Sequence, residues 1–208
     1  MVPERPPTVR RMRIGILGSG QMADALGTQW RRAGHEVRTG GRSGGLREAA
    51  EFGTDAVLLA LPYAAVAEVV GGLGEALRAR ALIDCTNPVG AGFRLLTAGG
   101  PAGAERIAAA APDAHVVKAF NLCHVDVWRL TPPVFDGRPL AVPLCGDDPA
   151  ALDVVRQLVR DLGCEPLNAG GLDRAGLVEA TAALLIGLWV GEGADAQAIA
   201  PPLAHAAG

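Results

Sequence analysis

Residues 13–23 read Arg-Ile-Gly-Ile-Leu-Gly-Ser-Gly-Gln-Met-Ala, and this stretch decides the fold. Ile14, Ile16 and Leu17 form a short apolar run of strand type that ends at Gly18-Ser19-Gly20-Gln21-Met22-Ala23, the pattern G-x-G-x-x-A. In such a turn Gly18 permits the tight bend, Gly20 lets a pyrophosphate approach bare backbone, and Ala23 lets the next helix lie close to the sheet. The first N–H groups of that helix then face the phosphates. Glycine is common in this chain, so the pattern gains its weight from context: it follows a strand and opens an amphipathic helix, predicted over 22–33, at the start of the fold.

Working outward, β-rich runs alternate with helical stretches. Strands are expected at 13–17, 35–39, 56–61, 81–85, 115–120, 140–145 and 165–168, and helices at 46–52, 64–77, 103–110, 149–162 and 172–190. This alternation predicts an α/β, Rossmann-like, doubly wound and mostly parallel sheet. Residues 12–190 form one domain without an inter-domain linker. The Pro- and Arg-rich stretch 1–11 reads as a disordered extension, with Met12 a second candidate start, and the small-residue tail 191–208 as flexible. The last helix is apolar nearly all round, so it belongs either in the core or against a second subunit, which makes a homodimer the expected assembly.

Composition narrows the classes. The chain has 208 residues, half of them hydrophobic, and its net charge is −3. It is too apolar for disorder, and no Lys/Arg cluster continues beyond the first 13 positions, which argues against nucleic acid. The longest unbroken apolar run, 182–190, falls short of the ~20 residues of a membrane span, and no early stretch reads as a signal peptide, so a cytoplasmic protein without a membrane partner is expected. Cys85, Cys123, Cys145 and Cys164 include no C-x-x-C pair, so no metal site is expected and the thiols read as buried or strand residues in a reducing compartment. Of the 19 basic residues one alone is lysine, Lys118.

An NAD site places Asp or Glu at the end of the second strand. Here that position reads Arg38-Thr39-Gly40-Gly41-Arg42-Ser43. Arg42 and Ser43 suit a 2′-phosphate through guanidinium and hydroxyl donors, so NADP(H) is the expected cofactor; a loop arginine that is merely solvated is the duller alternative. In open parallel sheets the ligand lies beyond the carboxyl ends of the strands. Three such ends are distinctive: Leu61-Pro62-Tyr63, Asp84-Cys85-Thr86-Asn87-Pro88 and Lys118-Ala119-Phe120-Asn121. Thr86, Asn87 and Asn121 bring hydrogen-bonding groups to the nicotinamide end, although Asn-Pro is equally a turn signal.

At these residues the chain resembles the NADPH-dependent deazaflavin (coenzyme F-420) reductases, or F-420-dependent NADP oxidoreductases. IGILGSGQMA, HEVRTGGRS, ALIDCTNP, HVVKAFN, CGDDPA and AGGLDRAGLVEATAALLIGLW carry the resemblance, in the family's order, over residues 13 to 190. VVKAFN is similar also to the reductase domain of the six-transmembrane metalloreductases. The resemblance implies that Gly18, Ser19, Gly20, Gln21 and Met22 contact the pyrophosphate and that Arg42 and Ser43 hold the 2′-phosphate. It places Pro62 and Asn87 beside the nicotinamide and Asn121 in the pocket wall. The chain departs from the family between the second strand and AVLLALP, where a helix and short strand are missing and one sheet edge is trimmed. It departs again at Gly171, where proline is usual, and at His124, where small or hydroxyl residues are usual.

Hydride transfer between NADPH and a deazaflavin needs two stacked rings with the reacting carbons roughly 3 to 3.5 Å apart, and no obligatory general acid. Reduction of a ketone or imine needs a placed proton donor, for which Lys118, His124 and Asp126 are candidates. Lys118 in an apolar strand suggests an ammonium-specific fit, or else a structural lysine tethering the next loop, and His124 is either an acid or a packed loop residue. Asn121, His124 and Lys118 are accordingly the candidate catalytic residues, while Glu179 and Arg174 read as pairing or capping residues. The leading expectation is an NADP-dependent oxidoreductase acting on a small-molecule redox substrate, the deazaflavin coenzyme F-420. Reduction of an imine, a flavin or a ferric chelate, and a non-catalytic NADP-binding module, are the alternatives.

Overall fold

The strands carry unbroken apolar runs because the sheet is covered on both faces, which leaves no solvent side for alternate residues to meet. In the computed structural model, which describes residues 10–195 and 199, β1 (Arg13–Leu17) has four consecutive buried residues. There follow α1 (Gln21–Arg32), β2 (Glu36–Gly40), α2 (Leu46–Phe52), β3 (Ala56–Leu59), α3 (Tyr63–Leu73), β4 (Ala81–Asp84), α4 (Gly103–Ala110) and β5 (His115–Lys118). After a small hairpin, β6 (Val134–Phe135) and β7 (Arg138–Pro139), come β8 (Ala141–Gly146), α5 (Pro149–Arg160), β9 (Glu165–Gly170) and α6 (Ala175–Ile186). Seven strands form one sheet in the order β2-β1-β3-β4-β5-β8-β9, parallel except for the β5–β8 pair.

This is the expected Rossmann-like architecture. The order reverses at β1, which lies between β2 and β3 and pairs Leu17 with Gly40 on one side and with Leu59 on the other. Such a switch point opens a crevice at the strands' carboxyl ends. β2 is the sheet's edge strand, and α2 returns the chain directly from β2 to β3.

Two cores flank the sheet. On one face Leu26 and Trp30 of α1 and Val155 and Leu158 of α5 pack on Ile14, Ile16 and Ile83. On the other, Ala50, Val66, Val70, Ile107 and Val178 from α2, α3, α4 and α6 pack on Val57, Leu59 and Leu82. Each fully buried Val, Leu or Ile among them contributes about 1.5–3 kcal/mol.

Several sequence boundaries move. The third and fifth strands stop at Leu59 and Lys118 rather than 61 and 120; Phe120, at φ 61°, has left the extended conformation. Its ring makes edge-to-face contacts with Trp30 and Trp128, centroids 5.8 and 5.3 Å away. The hairpin at 134–139 was not expected.

The last helix is not one regular element. A 3-10 turn (Leu172–Arg174) leads into α6, and a π-helical turn (Gly187–Gly191) ends it, so helix extends one residue into the expected tail. Nor does the helix lie wholly in the core, since Leu177 and Leu184 are more than half exposed. Leu172–Gly191, with a mean hydropathy of 1.4, is long and apolar enough to cross a membrane by length and composition, which differs from the reading based on unbroken runs alone. The expected extension 1–11 falls, up to residue 9, outside the described residues, as do 196–198 and 200–208 of the tail.

Candidate functional site

The glycine turn is shaped by contacts that admit no side chain. Gly18 has φ 128°, and a Cβ there would lie 2.0 Å from the Ala60 carbonyl oxygen. Gly20 is the opposite case: a Cβ built on it meets nothing within 4 Å, so the backbone faces open space at the start of α1. No side chain caps α1, and its first turn is left to bind an anion. This open cradle fits a dinucleotide pyrophosphate.

The Arg42–Ser43 turn is folded back against the same loop. Gly41 and Gly44 exchange N–H···O bonds of 3.0 and 2.9 Å, which puts Arg42 and Ser43 at an exposed tip. The Gly18 N–H donates to the Gly40 carbonyl at 2.7 Å, and a Cβ on Gly41 would lie 2.5 Å from Ser19 Oγ. Neither Arg42 nor Ser43 makes a hydrogen bond or ion pair within the described residues.

Beyond the strand ends lies a cavity of about 490 Å3, with an apolar lining. Gln21 and Met22 border it from α1, Cys85 and Asn87 from the loop after β4, Phe120 to Val125 from the loop after β5, and Ile186, Trp189 and Val190 from the last helix. Asn87 and Asn121 clasp each other across the two loops: Asn87 Nδ2 donates to the Asn121 carbonyl at 2.8 Å and Asn121 Nδ2 to Asn87 Oδ1 at 3.0 Å. Asn121 Nδ2 also lies 3.4 Å from the Val178 carbonyl of α6. The cavity therefore unites Gln21, Met22, Asn87, Asn121 and His124. Pro62 is not among its lining residues; it precedes α3 on the exposed surface.

His124 sits at the rim, its side chain 71% exposed, with Nδ1 3.4 Å from the Asp126 N–H that it caps and 3.3 Å from the Asp126 carboxylate. Lys118 is placed differently from the expectation that named it catalytic. Its side chain has no exposed surface, does not line the cavity, and donates to Asp84 Oδ2 at 2.8 Å and to the Thr86 carbonyl at 2.5 Å, with Glu179 Oε1 at 3.2 Å. It touches no reacting group, because oxygens on three elements occupy its three protons. Burial works against its charge, but the Asp84 and Glu179 carboxylates outweigh it and hold the ammonium above the ordinary lysine range.

Glu179 caps α4, accepting from the Gly103 and Ala104 N–H groups at 2.8 and 3.0 Å, whereas Arg174 Nε donates to the Ala169 carbonyl at 2.8 Å. Two thiols border the cavity, Cys85 and Cys123. Burial, with Asp84 adding to it, pushes the Cys85 thiol up to about 12, and burial pushes Cys123 up to about 11, so both are protonated near neutrality.

Sequence reading missed Cys85 and Cys123 as cavity residues, along with Ile186, Trp189 and Val190 and the Asp84–Lys118–Glu179 cluster. One signal for the cluster was available. Asp84 and Lys118 are the charged last residues of two strands and each follows two or more apolar residues, and strands that pair in parallel bring such residues side by side.

Sheet order, glycine turn and cavity define a dinucleotide-binding α/β domain of the kind found in reductases. Comparison with known proteins is more specific. The family described as NADP oxidoreductase, coenzyme F420-dependent, matches residues 13–88, which run from β1 through Asn87, and the resemblance carried by the motifs is thereby shown for that segment. Metalloreductase STEAP3 of Rattus norvegicus is 29% identical over 201 residues, 90% of this chain and 39% of the relative. The F420-dependent NADP reductase of Methanocaldococcus jannaschii is 30% identical over 149 residues, 68% of this chain and 65% of the relative. The chain thus spans less than two thirds of either relative. Among solved structures, one from Arthrobacter sp. FB24, assigned provisionally as an F420-dependent NADP-reductase, superposes with a TM-score of 0.77 at 23% identity, over 88% of this chain and 96% of that one, which shows the shared fold.

Proposed function

We propose that the protein is an NADP-dependent oxidoreductase that transfers a hydride between NADPH and a planar ring acceptor, the deazaflavin coenzyme F420 being the acceptor the relatives favour. The observation that carries this reading is the continuity of one apolar cavity from the first residues of α1 to the clasped amides of Asn87 and Asn121. In this reading the backbone at Ser19–Met22 holds the pyrophosphate, and Arg42 and Ser43 hold the 2′-phosphate. Asn87 borders the nicotinamide end, Pro62 stands outside the cavity at the start of α3, and Asn121 and His124 face the acceptor.

The bound dinucleotide supplies the hydride, two electrons with one proton. The chain's own residues orient and exclude water. Apolar walls from Phe120, Ile186 and Trp189 suit a flat ring, and stacking two rings at roughly 3 to 3.5 Å is most of what this transfer requires. The proton that completes reduction of the acceptor enters from solvent, which the exposed rim at His124 admits.

A second reading, reduction of a ferric chelate, is favoured by the similarity to a metalloreductase. The expected cytoplasmic setting belongs to the proposal, and so does a homodimer. Leu177, Ala180, Thr181 and Leu184 make an uncharged, exposed stripe on α6 that suits the same stripe of a second copy. The deciding experiment follows NADPH oxidation at 340 nm with oxidised F420, FAD, FMN or ferric chelate in parallel. Turnover with F420 alone is expected. Turnover with the chelate alone would favour the second reading, and tight NADPH binding without turnover would reduce the protein to a binding module.

A further inference from the structure

Three charged side chains without exposed surface meet beneath the cavity: Asp84 at the end of β4, Lys118 at the end of β5, and Glu179 in α6. The sheet register pairs Asp84 with Lys118, so ammonium and carboxylate leave neighbouring strand ends together. The cluster is fully bonded. Asp84 Oδ1 accepts the Thr86 N–H at 2.9 Å and the Thr86 hydroxyl at 2.7 Å, and Glu179 accepts the two N–H groups that open α4. No group is left over to take part in chemistry.

Stability does not account for such a cluster. Taking three charges out of water is costly, and well-packed apolar residues in place of buried ion pairs are often as stable or more so. What the cluster specifies is geometry. The Thr86 carbonyl that Lys118 holds directly precedes Asn87, and Glu179 directly follows Val178, whose carbonyl faces the Asn121 amide. α6 then runs on to the helical turn that brings Trp189 to the cavity.

We propose that Lys118 is a positioning residue: its ammonium fixes the loop after β4 and the helix α6 against the end of β5, so that the Asn87–Asn121 clasp and the α6 wall face the acceptor at transfer distance. The inference rests on the proposed oxidoreductase function. The cradle at Gly20 and the turn at Arg42, which the proposed function gives to the phosphates, stand outside the cluster, and Asn87 alone links it to the nicotinamide end, so affinity for NADPH changes little and turnover changes greatly. Misplacement of about 1 Å around a reacting pair is enough to cost about a hundredfold in rate.

The test uses Glu179→Gln and the double variant Lys118→Met/Glu179→Gln. Wild type buries two negative charges and one positive; the double variant buries Asp84 alone, the same net −1, whereas Lys118→Met by itself would strand two carboxylates and endanger folding. NADPH affinity is measured by fluorescence titration, kcat and KM with the acceptor found for wild type, and backbone amide exchange in the NADPH-bound protein.

The expected result is an NADPH Kd within about threefold of wild type, a kcat lower by roughly 10- to 100-fold, and faster exchange confined to 85–90, 119–125, 176–190 and the two N–H groups that Glu179 caps, Gly103 and Ala104. Parallel losses in Kd and kcat, or exchange accelerated throughout the sheet, would make the cluster merely structural and overturn the proposal, as would wild-type kinetics and exchange in the double variant. If wild type turns over no acceptor, the functional reading fails by itself. The exchange pattern then decides alone: acceleration confined to those segments and the α4 cap supports the positioning role, and uniform or unchanged exchange refutes it.

Discussion

Replacing Arg42 by alanine isolates the choice of cofactor from the stability of the fold. The side chain stands at the tip of a turn closed by the Gly41–Gly44 backbone bonds, and it makes no bond within the described residues, so its removal breaks nothing inside the protein. The unfolding midpoint should not move. What is lost is a charge-assisted contact with a 2′-phosphate, about 1.5–3 kcal/mol when well formed and near the low end at so exposed a position. At 1.4 kcal/mol per decade this is a 10- to 30-fold weaker NADPH complex. NADH has no 2′-phosphate and should bind the variant as it binds wild type. Fluorescence titrations with both cofactors at low and high salt give the comparison, and the NADPH deficit should shrink as salt screens the wild-type contact. An equal loss with both cofactors, or no loss with either, would refute the phosphate role.

Three further outcomes are expected. Asn121→Ala removes the amide that bonds Asn87 and approaches Val178, so turnover should fall by about tenfold or more while NADPH affinity, measured by the same titration, is retained. Gly18→Ala combines a φ of 128° with a Cβ 2.0 Å from a carbonyl oxygen; thermal denaturation should show a loss above about 3 kcal/mol, and wild-type stability would contradict the turn geometry. Stability should also decline in alkali. The buried thiol of Cys85 and the partly buried thiol of Cys123 are raised from 9.0 to about 12 and about 11, so the unfolded chain gives up their protons first and stability falls as pH rises through that window. Lys118, raised above 10.5, stabilises fully below that value and loses its contribution as pH climbs through its folded pKa, and urea midpoints from pH 7 to 11 should trace a monotonic decline.

The sequence by itself determined the sheet and the glycine turn at which the proposed function places the cofactor. Gly18 and Gly20 carry backbone requirements that no other residue meets, and apolar runs on the 13–17 and 81–84 segments demand burial on both faces, so strand, turn and helix are legible where local chemistry dictates them. The turn at Arg42 and Ser43 is legible for the same reason, since the two residues lie only two and three positions beyond the end of β2. The proposed acceptor end was decided by tertiary structure. Asn87 and Asn121 lie 34 positions apart, and Lys118 and Glu179 lie farther still; each is ambiguous alone, since Asn-Pro reads as a turn and a strand lysine reads as an acid or a tether. Only the parallel register of β4 and β5, with α6 folded back across their ends, brings these groups together. That juxtaposition turns two asparagines into a clasp and removes Lys118 from the cavity by surrounding it with oxygens, because a buried charge takes its role from the partners that neighbouring elements supply.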